Sequence, residues 1–211
     1  MITINKHNIK KYRYEEFPDI IEIIWKAGKL NRSVIEKFPN LQKISCENSN
    51  LHTLKQLSNC VNLRELYCEN NNIKTLRPLV NCTNLQILNC YNNQIKNLKP
   101  LINKINLREL YCGENPIETL IPLRNCINLQ KLSCGNTLIT DLEPQCCLEK
   151  IDTLYYWGNQ LKNPPSNLIE KFLRRFSTDP NIFVYDNPNI LYLSEADRIK
   201  SLMPIKYRNS L

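Results

Sequence analysis

Two histidines and four glycines in 211 residues are little material for most enzyme chemistry. His7 sits in a basic N-terminal arm and His52 on a later polar flank, so no serine or cysteine has an evident imidazole base with an acidic orienter. Both read as solvated surface residues. Gly28, Gly113, Gly135 and Gly158 are too scattered for a phosphate-cradling loop. Apolar runs are short, and none approaches the ~20 residues of a membrane-spanning helix. The N-terminus, MITINKHNIKKYRYEE, carries charge without the apolar stretch of a secretion signal. The net charge of +8 is dispersed: the basic surplus is three in residues 1–40, three in 41–150 and two in 151–211, so no segment stands out as a nucleic-acid arm. The sum of these absences points away from an enzyme, and no cofactor is expected.

What the sequence has in abundance is a period. Six segments align without a gap at a spacing of 22 residues, from Leu41, Leu63, Leu85, Leu107, Leu129 and Ile151. The second reads LRELYCENNNIKTLRPLVNCTN and the third LQILNCYNNQIKNLKPLINKIN. A fixed period of this length means one supersecondary unit stacked on copies of itself. Apolar residues recur at the first, fourth, sixth, eleventh, fourteenth, seventeenth and loosely the twentieth places. The fourth and sixth are two apart, the spacing of inward side chains on a short strand, as in Leu66 and Cys68 or Leu88 and Cys90. Units related by translation must pair these strands in parallel, about 4.8 Å per rung.

The ninth place holds Ser49, Asn71, Asn93, Asn115, Thr137 and Asn159. A strand that ends in a tight bend buries backbone groups without ladder partners, at a cost of about 1–3 kcal/mol for each one left unpaired. A small polar side chain at each rung can bridge them to the next rung, so this column reads as structural. Beyond the bend, Pro78, Pro100, Pro122 and Pro144 sit where the chain returns, which favours extended or 3₁₀ turns over α-helix.

The string L-x-x-L-x-(L/C)-x-x-N-x-I-x-x-L-x-P-L-x-N-(L/C)-x-N resembles the 22-residue class of leucine-rich repeat, similar to the bacterial internalins and to the repeat regulator of type 1 protein phosphatases. It covers residues 41 to 162. The resemblance implies an α/β solenoid: a curved horseshoe with a parallel sheet on its concave side, a mostly non-helical convex side, and protein binding through the sheet. Two departures stand out. Cysteine replaces leucine at the sixth place of five units and again at the twentieth in Cys60, Cys82 and Cys126.

The ten cysteines read as reduced. Neighbouring thiols of a parallel column fall within the Cα range of a disulfide, but their side chains point the same way, and no secretory route is evident. Buried thiols acting as small apolar groups, in a cytoplasmic, reducing setting, are the expectation. Ligands 22 residues apart in a flat column do not converge on zinc, and the adjacent Cys146 and Cys147 read as packing in the fifth unit.

A stack of strands needs closed ends. Residues 1–40 are expected to cap the first strand, with 14–28 forming either a short buried helix or a degenerate extra rung that uses Ile23 and Trp25. Ser33 and Glu36 have capping-box spacing for a turn of helix. At the far end, residues 163–211 should supply an amphipathic helix behind Ser166, a seventh strand with Ile182 and Val184 inward and Asn187 in the asparagine column, and a last helix opening at Ser194. The chain is one continuous domain with three parts: cap, repeats and C-terminal return.

Outward places on the strands are the third, fifth, seventh and eighth. They carry Tyr67, Tyr91, Tyr111, Tyr155 and Trp157, among Glu65, Glu69, Glu109 and Glu114. Tyr and Trp are the usual anchors of interfaces, although strand propensity and cross-strand contacts explain part of the column. These nine residues are the candidate partner surface. The carboxylates favour a basic partner; on an open surface they lack the desolvation that would make them an acid and base pair. Units two and four share LRELYC, which suits an extended or repeated partner. On the returning flank Lys55, Lys74, Arg77, Lys96 and Lys99 form a basic stripe, read as solubility or as phosphate or anionic-lipid contact.

The expected function is therefore a monomeric, non-catalytic module that binds a protein partner, with no nucleic acid. An alternative is an adaptor for ubiquitin ligation, because Phe17-Pro18-Asp19-Ile20-Ile21 faintly resembles the start of an F-box, a domain often joined to such repeats.

Overall fold

The computed structural model describes residues 1–142, residues 150–161 and the strand Val184–Tyr185. Nine strands lie in one sheet in chain order: β1 (Ile2–Asn5), β2 (Glu22–Lys26), β3 (Lys43–Ser45), β4 (Glu65–Tyr67), β5 (Ile87–Asn89), β6 (Glu109–Tyr111), β7 (Lys131–Ser133), β8 (Thr153–Tyr155) and β9 (Val184–Tyr185). All pairings are parallel. From β3 to β8 the partners stand one repeat apart, as in Ile44 with Leu66 and Leu66 with Leu88. One strand residue in each of these rungs faces the interior, at the fourth place, and it is buried in every one.

The six well-kept apolar places make six columns. In the third unit Leu85, Leu88, Cys90, Ile95, Leu98 and Leu101 are all fully buried. The returning side is built from single 3₁₀ turns at Lys55–Leu57, Arg77–Leu79, Lys99–Leu101 and Ile121–Leu123. Pro78, Pro100 and Pro122 occupy the middle of the last three, where the missing N–H breaks no ladder. The twentieth place alternates in kind: between Cys82 and Cys126 stands Lys104, only 3 % exposed, whose ammonium donates to the carbonyls of Val80 (2.7 Å) and Cys82 (3.0 Å). The long aliphatic stem satisfies the apolar column while its head pairs with backbone.

The ninth-place column is buried throughout the described rungs. Asn93 shows how it works. Its Oδ1 accepts from the Ile73 N–H (2.9 Å), and its Nδ2 donates to the carbonyls of Cys68, Cys90 and Tyr91 (3.0, 3.1 and 3.2 Å). Asn71 and Asn115 repeat the scheme. The bridge reaches back to the preceding rung, not forward to the next as the sequence reading has it, because the amide lies on the side where the earlier bend leaves its carbonyl and N–H bare.

At the N-terminal end, of the two readings of residues 14–28, the helix does not hold and the extra rung with Ile23 and Trp25 inward does. The segment delivers β2, with Ile23 in register with Ile44, and β1 adds a further rung by pairing Ile2 with Ile23 and Ile4 with Trp25. Both steps are 21 residues, one short of the repeat. Ile4 and Trp25 fill the inward column that Cys46 continues, and both are fully buried; the Trp25 indole N–H reaches the Gly28 carbonyl at 2.8 Å. Tyr12, Phe17 and Phe38 pack ring to ring at 5.3–5.9 Å under this edge, so Phe17 is engaged in the cap. The capping box is also absent. Helix α1 is one turn, Arg32–Ile35, and begins early enough to place Ser33 inside it; the Ser33 hydroxyl bonds Asn31 Oδ1 (2.7 Å) and Glu36 pairs with Arg32 (2.7 Å).

Toward the C-terminus, β9 pairs Val184 with Leu154. Val184 thus takes the fourth place and not the sixth, which removes the ground for counting Asn187 into the asparagine column. Asn187 itself, the helices expected behind Ser166 and Ser194, Pro144, Cys146 and Cys147 lie outside the described residues. Among the described residues no helix is long and apolar enough to cross a membrane.

The cysteines of the sixth place form an unbroken column, Cys46, Cys68, Cys90, Cys112 and Cys134, all buried. Burial pushes the Cys134 thiol up to about 12, Cys60 likewise, and Cys82 and Cys126 up to about 11. Native protein at about pH 8 should therefore react slowly with a thiol reagent. Unfolded without reductant, it should titrate with close to ten free thiols; several protected pairs would overturn the reduced state. Replacing Asn93 by Ala should destabilise by about 1–3 kcal/mol in denaturant melts, since four backbone partners lose their bond.

Candidate interaction surface

Strands β3 to β8 are three residues long, so each of these rungs presents its third and fifth places on the open face of the sheet and its seventh and eighth on the bend beyond. On β4, Tyr67 donates its hydroxyl to Glu65 (3.0 Å), and Glu65 accepts an ion pair from Lys43 on β3 (3.0 Å). On β6, Tyr111 donates to Glu109 (2.8 Å), which pairs with Lys131 on β7 (3.1 Å). The two Lys–Glu–Tyr sets are arranged as mirror images about β5, whose Ile87 and Asn89 lie between them. Burial, reinforced by the neighbouring glutamate, raises both Tyr67 and Tyr111 above the ordinary phenol range. The bond to Glu65 raises Lys43 in turn, and its ammonium stands 5.5 Å from the Tyr67 ring centre.

The seventh place runs Glu47, Glu69, Tyr91, Gly113, Gly135 and Trp157. Gly135 is required by the Trp157 ring beside it, and Gly113 by the backbone of Gly135. A Cβ on Gly135 would meet the Trp157 indole at 2.7 Å, and one on Gly113 would lie 3.4 Å from the Tyr91 ring and 2.8 Å from the Gly135 carbonyl. Trp157 therefore lies down over the Gly135 backbone, still 38 % exposed. Glu47 is held by Lys26 (2.6 Å) and Ser45 (2.8 Å). Glu69 is different: burial, with Glu47 nearby, raises its carboxyl above the usual range, and its Oε2 is enclosed without a hydrogen-bond partner.

The sequence places the eighth position outward and makes Glu114 a candidate, but the left-handed backbone of this place was not foreseen, although its signal was there. Asn48, Asn70, Asn92 and Asn136 all adopt left-handed backbone (φ 49 to 55°), and Gly158 does so at 67°. Asparagine tolerates this region; other residues pay about 1–2 kcal/mol for it. Glu114 is the exception, at φ 53°. Its carboxylate takes a bond from the Asn136 amide and another from the Tyr91 hydroxyl.

The nine predicted residues thus share one face, but not one state. Glu65, Glu109 and Glu114 already have cationic or donor neighbours, and Glu69 keeps a carboxylate oxygen without a hydrogen-bond partner. Over the outward places Glu22, Glu47, Glu65, Glu69, Glu109 and Glu114 face Lys26, Lys43 and Lys131, which leaves the face acidic in a chain of net charge +8. His52 stands exposed on the returning flank. Among the described residues no group of three or more His, Cys, Asp or Glu side chains is placed to hold a metal ion.

Residues 61–103 and 105–146 each match the family model of leucine-rich repeats, two 22-residue units to a copy. These are leucine-rich repeats. No curated protein matches the sequence. Solved leucine-rich-repeat structures share the fold: internalin InlF of Listeria monocytogenes aligns at TM-score 0.61 with 20 % identity, over 85 % of this chain and 57 % of that one. Internalin C2 of the same organism aligns at 0.54 with 26 % identity, over 83 % and 81 %. The ectodomain of the Arabidopsis thaliana receptor kinase GASSHO1/SCHENGEN3, solved with CASPARIAN STRIP INTEGRITY FACTOR 2, aligns at 0.68 with 15 % identity, over 88 % of this chain. The chain spans about a quarter of that receptor's length and little more than half of InlF.

In the leucine-rich-repeat frame Glu114 is the rung residue that departs from the backbone rule. Glu114→Asn should stabilise the protein by about 1 kcal/mol, read from the denaturant midpoint. An unchanged or lower midpoint would mean that the bonds to Asn136 and Tyr91 outweigh the backbone strain.

Proposed function

We propose that the chain is a non-catalytic recognition module that holds a partner protein or peptide against the concave face between β4 and β8. The observation that carries this reading is the set of aromatics kept on that face, Tyr67, Tyr91, Tyr111, Tyr155 and Trp157, the last laid over a glycine, Gly135, that leaves room for its ring. Rigid, half-buried Tyr and Trp lose little entropy when they become interface anchors. The strained backbone of Glu114 supports it as well, because left-handed strain kept beside an open surface marks functional positions. So does the plant receptor of the same fold, which was solved in complex with a partner.

The acidic balance of the face supports a basic partner, and Glu69, partly exposed and outside the ion pairs of the face, is the carboxylate left to meet it. The mirrored Lys–Glu–Tyr sets support an extended partner laid across the strands, with an uncharged side chain over Ile87 and Asn89. The reading includes a monomer in a reducing, cytoplasmic setting, supported by the depth of the thiol columns.

Replacing Tyr67, Tyr111 and Trp157 together by Ala should abolish partner capture in affinity purification, because one anchor typically contributes about 2 kcal/mol or more. Thermal stability should change little, since these side chains face away from the core. Gly135→Ala should weaken capture by lifting the Trp157 ring without removing it. Reversing Lys74, Arg77 and Lys96 should leave the partner bound. If the flank variant loses the partner and the aromatic variant keeps it, the concave reading is wrong.

A further inference from the structure

The convex surface carries a second pattern, independent of the concave face. In units two to four the twelfth, fifteenth, eighteenth and twenty-first places are exposed, three residues apart, the step at which 3₁₀ side chains stand above one another; the first unit differs only in the half-buried Ser58. The twelfth and fifteenth places bear Lys55, Lys74, Arg77, Lys96 and Lys99, all exposed. The eighteenth and twenty-first bear Val61, Val80, Ile102, Ile105 and Ile127, each 50–57 % exposed. Over the first three units cations and apolar side chains therefore run as two parallel stripes; in the fourth Glu118, Ile121 and Arg124 interrupt them.

The segregation of charge is complete over three units. Residues 50–62, 72–84 and 94–106 contain no Asp or Glu, and none of the five cations joins an ion pair among the described residues. Carboxylates in the same units, Glu47, Glu65 and Glu69, are all on the concave side. The apolar stripe is held rigidly, because the 3₁₀ turns fix one edge and the buried Lys104 ammonium binds the Val80 carbonyl behind it.

We propose that this convex face docks on an anionic lipid membrane, with Lys and Arg at the phosphates of the headgroups and Val80, Ile102 and Ile105 at the acyl boundary. A basic stripe beside exposed aliphatic side chains is the arrangement of interfacial amphipathic elements. Aliphatic groups would gain nothing from a nucleic-acid backbone, and aromatic stacking platforms are absent from these four places in the described units. Docking this way leaves the concave face turned outward to its own partner.

The full chain should sediment with vesicles of phosphatidylcholine containing about 30 % phosphatidylserine and not with phosphatidylcholine alone, and less so as salt rises. Reversal of Lys74, Arg77 and Lys96 should weaken this binding on the order of 100-fold, at roughly fivefold per cation near an anionic surface. The pair Val80→Ser and Ile102→Ser should weaken it severalfold at constant salt. The triple concave variant should bind vesicles as the wild type does, so failure here is separable from failure of the concave reading. Equal binding to both vesicle types, no binding to either, binding undiminished by charge reversal in a folded variant, or tighter binding to a single-stranded RNA oligonucleotide would each overturn the proposal.

Discussion

The fold depends on one interaction repeated along the bends: a buried polar side chain, an amide at Asn71, Asn93, Asn115 and Asn159 and a hydroxyl at Ser49 and Thr137, that takes the place of the missing sheet partner. A strand of three residues cannot satisfy its own ends, and the turn that follows it is buried. With that side chain in place, each bend can be tight, the next segment can return within one rung, and the apolar columns close. Without it the backbone would need water where the core has no room for any. The leucine columns supply most of the burial, but they could not be brought into register if the bends between them were open.

That register explains why so much was legible in the sequence and where legibility stopped. The 22-residue step, the inward pair at the fourth and sixth places, the asparagine column and the 3₁₀ return all follow from side-chain periods that repeat in the chain, and the structure has them. Of the two N-terminal rungs, the one with Ile23 and Trp25 was legible only as an alternative to a helix and the one with Ile4 was hidden, because their step is 21 and because Ile4 and Trp25 stand where the repeat has cysteine. Five aliphatic or aromatic residues among six, from Ile20 to Trp25, satisfy a short helix as well as a strand, and only the neighbouring rung decides between them. The last rung misled in the opposite way: Ile182 and Val184 have the right alternation, but alternation alone does not say which of them takes the fourth place.

The concave surface was legible as a list of residues and not as chemistry. Sequence spacing places Glu65 and Tyr67 on one face, yet which carboxylate is neutralised depends on the strand beside it. Lys43 and Lys131 reach Glu65 and Glu109 only because the flanking rungs are parallel and in register. The left-handed eighth place was visible as a run of asparagines, but a residue that tolerates unusual backbone looks the same in sequence as one chosen for its hydrogen bonds. Glu114 became informative only against that run.

The amide bridge also has a direction. The Asn93 side chain serves the bend of the rung before it, through Ile73 N–H and the Cys68 carbonyl, as well as its own Cys90 and Tyr91 carbonyls. Stripping a rung from the C-terminal side takes away the group that holds its predecessor and leaves that bend bare. Stripping one from the N-terminal side removes only some of the partners of an amide that still closes its own turn. The stack is thus polar in a mechanical sense: it frays more readily from one end than the other, and whatever covers the last rung acts as a latch for the whole column.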